Sequence, residues 1–303
     1  MNNIVFGSTG LVGSAILRQA AKFELEFYGS NSQKLDLTKR AEVFAFFKRE
    51  RPKNVILAAA KVGGIYANST FPVEFLSVNI QIQTNVMDAA HEIGVDKLVF
   101  LGSSCIYPKF APQPLKEEYL LSGALEETNS AYAISKIAGV ELVKSYRKEY
   151  GHRWISLMPT NLYGPNDNFD LDSSHVVPAM IRKFVDATRC NREQVQLWGS
   201  GNPRREFMHV DDFATAVLHS LRNYDDDQTL NIGTGQDLPI SELASLIARL
   251  CDFDGIVEWD KSKPDGVPRK VLDVSRLTAL GYKSTISLEE GLRRTIKWYK
   301  ENH

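Results

Sequence analysis

Five stretches of this chain are apolar nearly throughout: NIVFGS at 3–8, LEFYGS at 25–30, NVILAAA at 54–60, KLVFLGS at 97–103 and WISLMP at 154–159. Strands that face water on one side alternate apolar and polar residues, whereas strands covered on both faces do not. Between these stretches lie segments with helical spacing: Val12, Ala15, Ile16 and Ala20, then Val43, Phe46 and Phe47, then long helices expected around 72–93 and 131–150. Buried strands alternating with amphipathic helices predict an α/β fold, a Rossmann-like doubly wound parallel sheet with crossover helices.

Past Pro159 the pattern becomes irregular. YGPNDNF, WGSGNPRREF and KSKPDGVPRK are rich in Gly, Pro, Asn and basic residues and read as loops of a smaller second α/β domain. HVDDFATAVLHSL and TLNIGTG read as a helix and strand returning to the first sheet. The expected division is therefore interleaved: residues 1–165 plus about 208–235 form a dinucleotide-binding domain, and about 166–207 plus 236–303 a substrate-binding domain. A net charge of -1 supplies no global field to attract nucleic acid or an anionic membrane. No window approaches a membrane span, and the first residues lack the character of a signal peptide, so a cytoplasmic location is expected. Three widely spaced cysteines, Cys105, Cys190 and Cys251, fit neither a disulfide framework nor a metal motif. At least two are expected to be ordinary buried thiols, and no metal is expected.

Chemistry enters at three places. GSTGLVG sets Gly7, Gly10 and Gly13 between the first strand and its helix, where missing Cβ atoms let backbone approach a pyrophosphate at the helix N-terminus. Ser8, Thr9, Leu11 and Val12 complete that loop. The end of the second strand carries no acid to hold a ribose; Ser30, Asn31, Ser32 and Lys34 stand there instead and suit a 2′-phosphate, which favours NADPH (NADP) over NADH. Asp36, with Leu37 beside it, fits a hydrogen bond to an adenine amine and equally fits a capping role. AYAISK places Tyr132 and Lys136 four apart, on one helix face, where an ammonium would lower the phenol pKa for proton transfer at a carbonyl. Ser103 stands at the tip of the preceding strand, where open α/β sheets bind their ligands.

These motifs resemble the extended short-chain dehydrogenase/reductases that act on nucleotide sugars. AAAKVGGI, LGSSCIYPK, MPTNLYGPNDNF, HVVPAMIRKF, WGSGNPRREF, HVDD and SKPDGVPRK narrow the likeness, almost end to end, to the GDP-L-fucose synthase family. The resemblance implies a 3,5-epimerase and 4-reductase in one site, acting on a 4-keto GDP-sugar in a homodimer. It implies Ser103, Tyr132 and Lys136 at the carbonyl, and Cys105 and His175 as the acid and base of epimerisation, with the assignment between them open. It implies cofactor contacts also from Leu101, Gly102, Ser104, Pro159, Asn161 and Leu162, and GDP-sugar contacts from Lys183, Trp198, Arg205 and Asp265. The arginines that members of this family place near the 2′-phosphate are absent here, where Thr9, Ser30 and Ser32 stand. A sister enzyme on another ketosugar, such as a colitose or heptose precursor, and a non-catalytic dinucleotide sensor are the other readings.

Overall fold

In the computed structural model, which describes residues 3–263 and 265–303, strands and helices alternate as the apolar runs require. In the first half these are β1 (Asn3–Phe6), α1 (Leu11–Gln19), β2 (Phe27–Ser30), α2 (Arg40–Glu50), β3 (Asn54–Leu57), α3 (Ile65–Thr70), α4 (Pro72–Ile93), β4 (Lys97–Leu101), α5 (Ser130–Tyr150) and β5 (Ile155–Pro159). The second half comprises β6 (Asn161–Tyr163), α6 (Val176–Arg189), β7 (Gln194–Trp198), β8 (Arg204–His209), α7 (Val210–Asn223), β9 (Leu230–Ile232), β10 (Asp237–Pro239), α8 (Ile240–Leu250), β11 (Ile256–Asp260), β12 (Arg269–Lys270), α9 (Ser275–Ala279) and α10 (Leu288–Asn302).

The main sheet runs β2-β1-β3-β4-β5-β9, every pair parallel. Strand order reverses direction at β1, so the carboxyl ends of β1 and β3 open a crevice. β4 is buried from Lys97 to Leu101, which is why its sequence does not alternate. Helices α2, α4 and α5 cover one face over a core of Phe6, Phe47, Val86, Phe100 and Val140. Helices α1 and α7 cover the other, over Val5, Ile16, Val99, Phe213 and Val217. Long helices end where glycine accepts the left-handed conformation, α4 at Gly94 (φ 73°) and α5 at Gly151 (φ 71°).

A second sheet is built on β8, which pairs antiparallel with β10 and parallel with β6 and β12. Its own core gathers Phe184, Leu197, Phe207, Leu243 and Ile296. Leu272 and Leu277, within the span grouped with the second domain on sequence, pack into the two cores of the main sheet. Of the cysteines, Cys251 is buried and Cys190 is exposed; the exposure of Cys190 departs from the expected pair of buried thiols because it caps the solvent end of α6. Among the described residues no helix is long and apolar enough to cross a membrane.

Buried carboxylates join the two units. Glu206, in the middle of β8 and fully buried, accepts the Thr234 and Gly235 N–H groups on one oxygen and the Leu272 N–H at 2.8 Å on the other. Burial pushes its carboxyl above the usual range against the pull of those donors. Asp212 likewise accepts the Thr285 and Ile286 N–H groups and holds the chain that leads into α10. An amide cannot replace Glu206, because its NH2 would face an N–H on one side. Glu206→Gln is expected to lower the unfolding free energy by about 3 kcal/mol in urea denaturation, and a loss under about 0.5 kcal/mol would contradict this account of the join.

Candidate active site

The crevice at β1 is shaped by backbone. Gly7 has φ 82°, and a Cβ there would lie 2.8 Å from the Ala59 nitrogen. A Cβ on Gly13 would sit 2.1 Å from the Gly7 carbonyl, so α1 presses directly onto the loop. The Gly7 and Ser8 N–H groups both donate to the Ser30 carbonyl, which locks the loop to β2. Gly10 is extended at the N-cap of α1 and no side chain caps that end, so the first-turn N–H groups face an open rim formed with exposed Thr9. Leu11 and Val12 are half-buried against the core below. This cradle, with the helix dipole behind it, fits a dinucleotide pyrophosphate.

At the end of β2 the candidates separate. Ser32 and Lys34 are exposed. Ser30 is not available to a phosphate, because its side chain is buried in the sheet at 3% exposure. Asp36 accepts the Thr38 N–H at 3.0 Å and the Thr38 hydroxyl at 2.7 Å, which holds its carboxyl below the usual range. It therefore acts as a turn cap ahead of α2, with Leu37 buried beside it. Leu101, Gly102 and Ser104 line the tip of β4, and Pro159, Asn161 and Leu162 lie where β5 passes into β6. Asn161 donates to the Glu206 carbonyl at 2.7 Å and so faces the second sheet.

Ser103 is the meeting point of the catalytic candidates. Its hydroxyl accepts the Cys105 N–H at 3.1 Å, capping the short turn that turns the chain off β4. The same hydroxyl draws down the pKa of both the Cys105 thiol and the Tyr132 phenol. Tyr132 comes from the first turn of α5, its ring edge-on to Phe75. Lys136, one turn on, is buried and donates to the Leu101 carbonyl at 2.8 Å.

The expected effect of Lys136 on the phenol is not what the geometry gives. The Lys136 ammonium lies 5.8 Å from the Tyr132 ring centre and is committed to the Leu101 carbonyl. Burial pushes the phenol up, charge on Cys105 adds to this, and only the Ser103 hydroxyl pulls it down. Burial also draws Lys136 down to about 8. Desolvation outweighs attraction at this separation. Tyr132 therefore keeps its proton near neutral pH, the state required of a group that donates to a carbonyl oxygen.

Cys105 has a partner that sequence spacing did not identify. Lys270, on β12, donates to the Cys105 sulfur at 3.2 Å. Burial alone would push the thiol up; Lys270, the Ser103 hydroxyl and Arg205 together outweigh it and hold the thiol below its ordinary value. The parallel pairing of Arg205 with Lys270 across β8 and β12 is what brings both cations to the sulfur. Lys270 sits at the end of the KSKPDGVPRK stretch, but nothing local marked it out among the other basic residues there. His175 is the N-cap residue of α6, yet its imidazole makes no cap hydrogen bond. It opens to solvent, and its pKa is lowered by surrounding protein first and by the charge of Lys270 second. Lys270 thus acts on both groups.

The remaining candidates lie around α6 and the separate parallel pair of β7 and β11. Lys183 donates to the Gln196 carbonyl and stands 5.8 Å from the ring of Trp198, which is 50% exposed. Lys263 flanks the same ring at 5.3 Å. Asp265 accepts the N–H and hydroxyl of Ser200, each at 2.7 Å, and Arg205 reaches the Asp265 carbonyl. An exposed indole between ammonium groups, with Arg205 and Lys270 further along, suits a flat base carrying phosphates. The geometry makes the thiol testable. In a Cys190→Ser background, Cys105 is expected to be alkylated by iodoacetamide at a pH below that of an ordinary thiol, and Lys270→Met to move the inflection of the rate profile upward. An unmoved inflection would contradict the role assigned to Lys270.

Comparison with known proteins gives the family. Residues 3–233 match the NAD dependent epimerase/dehydratase family. The chain is 53% identical over 300 residues to the probable GDP-L-fucose synthase 1 of Oryza sativa subsp. japonica, covering 98% of this chain and 92% of that protein. It is 49% identical over 308 residues to the GDP-L-fucose synthase of Escherichia coli K12, covering 98% and 96%. The crystal structure of a GDP-L-fucose synthetase from Naegleria fowleri bound to NADP superposes with a TM-score of 0.91 at 28% identity, covering 99% of this chain and 93% of that one. The chain belongs to the NAD dependent epimerase/dehydratase family and, within it, to the GDP-L-fucose synthases.

Proposed function

We propose that this chain epimerises GDP-4-keto-6-deoxy-D-mannose at C3 and C5 and reduces C4 with NADPH to give GDP-L-fucose. The observation that carries this reading is the Ser103 hydroxyl drawing down the pKa of both the Tyr132 phenol and the Cys105 thiol, with Lys270 against the sulfur. A carbonyl reductase uses the first pair and has no use for the second. A ketone at C4 acidifies the hydrogens at C3 and C5, because the electron pair left by proton removal delocalises onto the carbonyl oxygen. Inverting each carbon then takes a base on one face of the ring and an acid on the other.

In this scheme Ser103 and Tyr132 donate to the C4 oxygen and stabilise the enolate, the electrostatic contribution that is usually the largest. Cys105 and His175 exchange protons with the ring carbons. Lys270 keeps the thiol acidic, and the surrounding protein together with Lys270 favours the neutral imidazole, so that the imidazole can accept a proton and the thiol can give one. After inversion Tyr132 gives its proton to the C4 oxygen, and Lys136, drawn down to about 8 and still mostly protonated at pH 7, supplies a positive charge near the phenolate left behind. NADPH bound in the Gly7–Gly13 cradle supplies the hydride. Ser32 and Lys34, with no acid at the tip of β2, support the phosphorylated cofactor. Trp198 and Lys183 take the nucleoside end of the sugar nucleotide, and Arg205 its diphosphate, with Asp265 ordering the Ser200 turn beside them.

The reading extends to a cytoplasmic homodimer. Free cysteines suit a reducing compartment, and exposed Val73 on α4 and Ile134 on α5 place apolar area on the two longest helices. The discriminating experiment is incubation with GDP-4-keto-6-deoxymannose in heavy water without cofactor. Deuterium is expected at C3 and C5, and Cys105→Ala is expected to reduce uptake at least about 100-fold. Undiminished uptake in that variant would refute the role of the thiol. With NADPH added, turnover of this ketosugar is expected to exceed that of a 3,6-dideoxy or heptose analogue by about tenfold or more; the reverse order would assign the chain to a sister reaction.

A further inference from the structure

The connection from β3 to α4 makes a contact that the chemistry above does not use. Gly64, which caps α3, donates its N–H to the Ser173 carbonyl at 3.0 Å. A Cβ built on Gly64 would lie 2.6 Å from the Ser174 carbonyl oxygen, a backbone atom that cannot rotate aside. These are the two residues immediately before His175. On the other side the Gly63 and Gly64 carbonyls are both held by the Asn68 side chain, at 2.6 and 3.0 Å, and Asn68 is buried.

The turn that Gly64 grips is itself internally braced. Asp170 accepts the Ser173 N–H and hydroxyl, its carbonyl accepts the Ser174 N–H, and the Asn168 amide donates to the Ser173 hydroxyl. Movement at residue 173 or 174 therefore passes as a unit into His175 and the first turn of α6, where the Ala179 N–H bonds the His175 carbonyl. The imidazole has no cap bond of its own to resist such a movement. The same connection begins at Ala58 and Ala59, which pack on Gly7. A single stretch of backbone thus runs from the dinucleotide cradle to the turn carrying the histidine.

We propose that Gly64 is a positioning residue for His175, fixing the imidazole at the sugar by gripping the 173–174 backbone from a distant part of the chain. The inference rests on the reading that His175 moves a proton at C3 or C5. A displacement of about 1 Å in a proton-transferring group costs up to about 100-fold in rate. Gly64→Ala is expected to slow deuterium uptake 10- to 100-fold at whichever carbon Asn in place of His175 affects, with KM for the ketosugar and the affinity for NADPH within about twofold of wild type.

The decisive readout is the double variant, since a residue acting through another loses its effect when that other is gone. Gly64→Ala added to His175→Asn is expected to change uptake by less than about twofold. Asn68→Ala, which keeps Gly64 and removes only the bonds to its carbonyls, is expected to give the same carbon-specific pattern at smaller amplitude and serves where Gly64→Ala does not fold. Wild-type uptake with undiminished uptake in both single variants would overturn the inference, as would a full, additive loss in the His175→Asn background. Absence of uptake in the wild type would instead overturn the epimerase reading, and the inference with it.

Discussion

One hydroxyl organises the candidate site. Ser103 sits where β4 leaves the sheet, capping its own turn while drawing down the pKa of the Tyr132 phenol and the Cys105 thiol. Its place is set by the fully buried strand behind it, which cannot slip in register without driving its apolar side chains out of the two cores. The Ser103 hydroxyl and the Cys105 thiol are therefore delivered by one short turn, and α5 brings Tyr132 to them.

The thiol's acidity, by contrast, comes from the other unit of the fold. Lys270 reaches Cys105 because β12 pairs with β8, and β8 is joined to the main sheet through the buried carboxylate of Glu206. Electrostatics at the sulfur thus depends on how the two sheets are held together. The same is true of His175, whose turn is gripped by Gly64 from across the cleft. Each group implicated in epimerisation has a neighbour from a distant part of the chain, while the reductive pair, Tyr132 and Lys136, shares one helix.

That division explains what the sequence could disclose. Apolar runs and helical spacing marked the six-stranded sheet because both are local consequences of burial, and the glycine loop and the Tyr132–Lys136 spacing were legible for the same reason. Resemblance pointed to Cys105 and His175, but their environment was not legible. Lys270 lies 165 residues from Cys105, and its contact arises from a two-residue strand that no periodicity announces. Nor did spacing reveal that Ser30 is buried, or that desolvation of Tyr132 prevails over an ammonium turned toward a carbonyl. These are balances between burial and charge that only assembled coordinates define.

The account's central claim is that a single hydroxyl serves both reactions. It is tested most directly by measuring, in Ser103→Ala, cofactor-free deuterium exchange at C3 and C5 and single-turnover NADPH oxidation with the same ketosugar. The account predicts that both rates fall by a similar factor, about 100-fold, the loss typical of removing one donor from a developing oxyanion. Exchange at the wild-type rate alongside impaired reduction would contradict it.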